Sequence, residues 1–122
     1  MILVIDDEKI FPFKEAGKDA VYARTIEEGR RLLGDAAELE ELWLDHDLGG
    51  EDTIRPLVLE LAARAFHGDP KPIGRVVVCS LNRPGADWIV STLERYYPVL
   101  RCTDPDQLHD LLGPGDAVWY QR

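Results

Sequence analysis

The sequence predicts one α/β domain: a five-stranded parallel sheet in the order 2-1-3-4-5, sandwiched between helices. Three observations carry this. Short, wholly apolar runs alternate with stretches of helical periodicity. Three of the runs end abruptly in polar clusters, DDE, DHD and SLN. Only residues 6–18 separate the first two runs, and they include Pro12 and Gly17, so the first crossover helix is short or absent.

The elements follow in order. ILVI (2–5) has no polar residue and suits a central strand buried on both faces. DAVYA (19–23) is a second, weaker strand. TIEEGRRLL (25–33) starts with Thr25 and Glu28 in capping-box spacing and closes at Gly34, which makes a short helix. ELWLD (41–45) is the third strand. From Thr53 to His67, the residues Ile54, Leu57, Val58, Leu61 and Ala65 recur at amphipathic helix spacing, with Pro56 confined to the first turn. IGRVVVCS (73–80) is the fourth strand, and Pro84 opens a helix to Tyr97 that buries Ile89, Val90 and Leu93. VLRC (99–102) is the fifth strand. Asp104-Pro105 starts a last short helix to Leu112, and the tail 113–122 is either an edge strand or packed coil. This alternation is that of a flavodoxin-like sheet.

At 122 residues the chain suffices for one core, with 45% hydrophobic and 30% charged residues. Its net charge of −9 argues against non-specific binding to duplex nucleic acid, which needs a basic stripe. No apolar run approaches the ~20 residues of a membrane span. MILVI is too short for a signal peptide, and a cytoplasmic location is expected. Cys79 and Cys102 lie in apolar stretches without metal-ligand spacing, and are expected as buried thiols of a reducing compartment.

Ligands of such sheets bind beyond the carboxyl ends of the strands. Strands one, three and four are neighbours in this order, about 4.8 Å apart. Asp6-Asp7 therefore faces Asp45-His46-Asp47, with Ser80 and Asn82 alongside. So many carboxylates repel one another unless protons or a cation intervene, and Mg2+ or another divalent cation suits an all-oxygen donor set. His46 is either a proton shuttle or a surface histidine bonded to its flanking aspartates. Ser80 and Asn82 either bind phosphate oxygens or cap the next helix. Arg83 is the cation best placed for a phosphate. Gly49-Gly50 either offers backbone N–H groups to an anion or turns the chain.

MILVIDDE, LWLDHDLGG and VVVCSLNRPGA, in that order, resemble the receiver domains of bacterial response regulators. The resemblance implies a receiver-like three-layer sandwich. It implies that Asp6, Asp7 and Asp45 bind Mg2+, that Asp45 is the phosphoryl acceptor, and that Ser80 is the Ser/Thr after strand four. A receiver lysine after strand five has no counterpart: the lysines are Lys9, Lys14, Lys18 and Lys71, and the nearby Arg101 differs in donor geometry. LDHDLGG (44–50) and CSLNRPG (79–85) are more similar to the cyclic-phosphate processing receiver domains. Cys79 stands in place of that family's histidine, and the proline is displaced by one.

That resemblance implies a metal-dependent phosphoesterase acting on cyclic phosphates of nucleotides or RNA ends. Asp6, Asp7 and Asp45 would hold the metal, and His46 or Asp47 would orient or deprotonate water. Ser80, Asn82 and Arg83 would hold the phosphate. Two other classes are weighed against this. One is a receiver phosphorylated on Asp45. The other is a non-enzymatic scaffold that docks a protein partner or a second copy of itself through its acidic face or its VWYQR tail.

Overall fold

The computed structural model describes residues 1–7 and 20–101. The expected short first crossover, the helix from Pro105 and the C-terminal tail lie outside the described residues. Five strands form one parallel sheet: β1 (Ile2–Ile5), β2 (Ala20–Ala23), β3 (Leu39–Leu44), β4 (Ile73–Val78) and β5 (Val99–Arg101). Their order is β2-β1-β3-β4-β5, a receiver-like arrangement. Between them run α1 (Ile26–Asp35), α2 (Arg55–Phe66) and α3 (Arg83–Leu93).

Local chemistry accounts for the helix ends. The Thr25 hydroxyl accepts the Glu28 N–H at 3.1 Å and starts α1 as its spacing requires. Pro56 falls in the first turn of α2, where its missing N–H removes no helical bond. The Asn82 side chain caps α3 by accepting from Gly85 N at 3.0 Å. α3 stops at Leu93, short of the expected Tyr97, with turns beyond it. β3 begins two residues earlier than its apolar run, at Leu39, because Glu40 N bonds Met1 O and Leu39 N bonds Pro72 O.

The three described helices pack on one face of the sheet. Leu3 and Ile5, Leu42 and Leu44, and Val76 and Val78 meet Ile26, Leu33, Leu57, Val58, Leu61, Ile89 and Leu93 there. Alternation along the strands puts Ile2, Val4, Trp43 and Val77 on the other face, and all four are buried. β1, β3 and β4 are thus apolar on both sides, which is why their runs lack polar alternation.

Glu41 and Arg75 interrupt that second face as a paired position across β3 and β4. Glu41 is buried, accepts from Arg75 Nε at 2.7 Å and also takes the Trp43 indole N–H at 3.1 Å. Glu41→Ala leaves both donors without their carboxylate. Arg75 is partly exposed and recovers some hydration, so the expected loss is about 1–3 kcal/mol. A lower urea midpoint at unchanged slope would record it; an unchanged midpoint would show the pair to be energetically idle.

Candidate metal and phosphate site

The register of the sheet builds the site. Ile5, Leu44 and Val78 are aligned across β1, β3 and β4. Asp6, Asp45 and Cys79 are therefore the next residues in line. Asp45 N donates to Ile5 O and Cys79 N to Leu44 O, so the ladder continues past the strands and holds these ends together. Beyond them opens a cavity of about 890 Å3. Asp6, Asp7, Asp45, Asp47, Ser80 and Asn82 line it, with Gly49, Gly50, Cys79 and Leu81 at its walls.

Asp6, Asp7 and Asp45 each bring a carboxylate oxygen within 4.8 Å of the others. This cluster can hold a metal ion, and its donors are all hard oxygens. Asp45 shows the electrostatic cost of the arrangement. Burial, and then the charge of Asp6, push its carboxyl up to about 7; the charges of Asp7 and Asp47 add to this, and a hydrogen bond from Ser80 opposes it.

The loop after β3 explains the double glycine. Leu48 N bonds Asp52 O, Asp52 N bonds Gly49 O, and Ile54 N bonds His46 O, which folds the chain back onto the start of α2. Gly49 (φ 94°) and Gly50 (φ 58°) both occupy the left-handed region. A side chain at Gly49 would also approach Asp7 Oδ2 at 3.4 Å.

His46 and Asp47, adjacent in sequence, have opposite surroundings. The Asp47 side chain is well exposed to the cavity, while that of His46 is only 6% exposed and is not among the lining residues. His46 Nδ1 lies 2.8 Å from Asp47 Oδ1, and Arg55 Nε donates to His46 Nε2 at 2.9 Å. Asn82 Nδ2 reaches Asp47 Oδ2 at 3.3 Å. The hydrogen bond from His46, helped by that from Asn82, holds the Asp47 carboxyl below its ordinary value. It is an ionised acceptor aimed at the cavity.

Asn82 has two tasks. Its oxygen caps α3 while its amide holds Asp47, so the capping and site readings of this residue both apply. Ser80 is buried at the cavity wall, and its hydroxyl also accepts Asn82 N at 3.2 Å. Arg83 is the exposed first residue of α3 and is not a lining residue.

Gly85, which the sequence shows only as the end of the CSLNRPG block, and Arg55 complete the site. A Cβ on Gly85 would lie 2.4 Å from His46 Cγ and 2.8 Å from Nδ1, so the glycine of the NRPG stretch admits the imidazole. Gly85→Ala is expected to displace that ring at a cost of about 1–3 kcal/mol. A lower thermal midpoint together with moved His46 ring resonances would register it; unchanged ring resonances would contradict the contact. Arg55, the second residue, also lies over the Trp88 ring, with Cζ 4.5 Å from its centroid. Its partner His46 is nine residues earlier in sequence, a distance that only the folded glycine loop closes.

Cys79 corrects an expectation. It is disulfide-bonded rather than a free thiol. Apolar neighbours signal burial of a cysteine but say nothing of its pairing, and the cysteines give no argument for a reducing compartment. Cys102 lies outside the described residues. A disulfide sulfur carries no proton to exchange. Lys71 sits just before β4, at the opposite end of the sheet from the cavity, and its ammonium donates to Ala36 O. Arg101 pairs with Asp87. No helix among the described residues is long and apolar enough to cross a membrane.

The chain matches the sequence family described as Cyclic-phosphate processing Receiver domain over residues 1–95. No curated protein and no solved structure matches it.

Proposed function

The chain belongs to the cyclic-phosphate processing receiver domain family, and from that premise we propose that it is a metal-dependent phosphoesterase that opens cyclic phosphates on nucleotides or RNA ends. The observation that carries this reading is the convergence of Asp6, Asp7 and Asp45 in one cavity with Asp47, Ser80 and Asn82.

Asp6, Asp7 and Asp45 hold the cation, with Mg2+ favoured by their hard oxygen donors. When bound, the ion supplies neutralising charge for a phosphoryl oxygen and lowers the pKa of an attacking water. Asp47 accepts a hydrogen bond from that water and orients it. With its pKa held down, Asp47 is a weak base but a constant acceptor. Asn82, and Ser80 once its single O–H turns from Asp45 to the ligand, donate to non-bridging phosphate oxygens, and Arg83 adds positive charge at longer range from the exposed start of α3. Water adds to phosphorus as one ring P–O bond breaks, and the departing oxygen takes up a proton. The product is a phosphomonoester.

The reading is tested with 2′,3′-cyclic nucleotides and Mg2+, following the appearance of 2′- or 3′-monophosphate. Product that disappears when EDTA is added supports it. A folded, Mg2+-treated protein that opens none of the four nucleobase variants counts against it.

A further inference from the structure

We propose that Arg55 is a positioning residue of this site, acting through His46 to fix the orientation of Asp47 toward the bound phosphate. An arginine N–H can only donate, so His46 Nε2 must be the acceptor of the 2.9 Å bond from Arg55 Nε. The ring proton is then on Nδ1, where it is donated to Asp47 Oδ1 at 2.8 Å. The three groups form a directed chain: guanidinium to imidazole to carboxylate. Both ring nitrogens are thereby committed, and neither faces the cavity.

The anchors at each end are set by helix starts. Arg55 begins α2, and its guanidinium rests on Trp88 of α3. The imidazole is pressed against Gly85 in the first turn of α3, which leaves it no room to rotate toward that helix. Asn82, which caps the same helix, holds the second oxygen of Asp47. The starts of α2 and α3 thus jointly aim one carboxylate. Without Arg55, Nε2 has no donor holding it, the ring can tilt or exchange tautomers, and Asp47 loses one of its two supports. The chemical consequence rests on the phosphoesterase reading above, whereas the positioning itself does not.

Nitrogen-15 spectra of the histidine rings test the chain directly, with His46→Gln identifying the His46 signals. The wild type is expected to show a protonated Nδ1 and an unprotonated Nε2. A proton on Nε2 would overturn the proposal. In Arg55→Met, which keeps a stem over Trp88, the His46 ring signals and the Asn82 side-chain amide should both move. Arg55→Lys keeps the charge but lacks the planar Nε donor, and should move them too. If the Asn82 amide stays in place in whichever variant folds, Arg55 does not position Asp47. A second measurement uses 2′,3′-cyclic AMP with Mg2+. Arg55→Met should lower kcat roughly tenfold with KM within about twofold, as a misaimed group does. A loss wholly in KM would overturn the role. If the wild type opens no cyclic phosphate, the phosphoesterase reading fails, and the ring and amide signals still decide the positioning.

Discussion

Millimolar Mg2+ should raise the thermal midpoint of the wild-type protein, and Asp45→Asn should remove most of that rise. Three carboxylates with oxygens within 4.8 Å of one another repel in the metal-free protein, and Asp45 bears the clearest mark of it. Its carboxyl is raised from 3.8 to about 7, first by burial and then by Asp6. The folded state therefore keeps a proton that the unfolded chain releases. The stability that Asp45 contributes is present below the unfolded value and is lost as pH rises to about 7. A cation requires the ionised carboxylate, so its affinity should increase as pH rises through the same window. At a hundredfold excess over the dissociation constant the cation adds about 2.7 kcal/mol, and at a thousandfold excess about 4. Asp45→Asn keeps the size of the side chain and removes the charge. Above pH 7 the metal-free variant should melt higher than the metal-free wild type, yet respond little to Mg2+. A wild-type midpoint indifferent to Mg2+, Mn2+ and Ca2+ would eliminate the metal site.

The parts of this site that sequence reveals are those set by strand register. Apolar runs buried on both faces announce β1, β3 and β4, and a parallel ladder leaves little freedom in where their ends fall. Asp6, Asp7, Asp45 and Ser80 could be placed together for that reason. What lies in the loops was legible only as residue type. His46 looks from its sequence like a candidate proton carrier, since nothing local shows that Arg55 and Gly85 will enclose it. The choice between His46 and Asp47 depends on which side chain turns outward, and the folded Gly49-Gly50 loop sets that. Asn82 hid its second role because capping alone accounts for an asparagine before a helix. Arg83 follows Asn82 directly, but it is the exposed first residue of α3 and is not among the lining residues. The Cys79 disulfide is a matter of oxidation state, which an apolar context does not report.

Little stable aspartyl phosphate should form when the protein is incubated with acetyl phosphate and Mg2+, whereas a cyclic phosphodiester should be opened. The two reactions put different demands on the same cavity. Phosphorylation of Asp45 leaves a dianionic group that needs a cationic partner besides the metal. Among the described residues, Lys71 is at the wrong end of the sheet, Arg101 is engaged with Asp87, and Arg83 does not line the cavity and offers charge only at longer range. A cyclic phosphodiester brings one negative charge and a leaving oxygen already tethered to the product, so a cation with Ser80 and Asn82 meets its needs. The group then most exposed to test is Asp47. Asp47→Asn preserves size but replaces one of two acceptor oxygens with an NH2 donor; the remaining oxygen can keep the bond from His46, and the NH2 then opposes the Asn82 amide or presents a donor to the water. Acid–base and orienting groups contribute roughly 10²–10⁴-fold, and the depressed pKa of Asp47 places it toward 10², since a weak base orients more than it deprotonates. The loss should appear in kcat and persist at saturating Mg2+, unlike that of Asp45→Asn, whose defect lies in metal binding. Stoichiometric phosphorylation of Asp45 without opening of any cyclic phosphate would instead identify a signalling receiver. Full activity in Asp47→Asn would return the water-orienting role to another lining group.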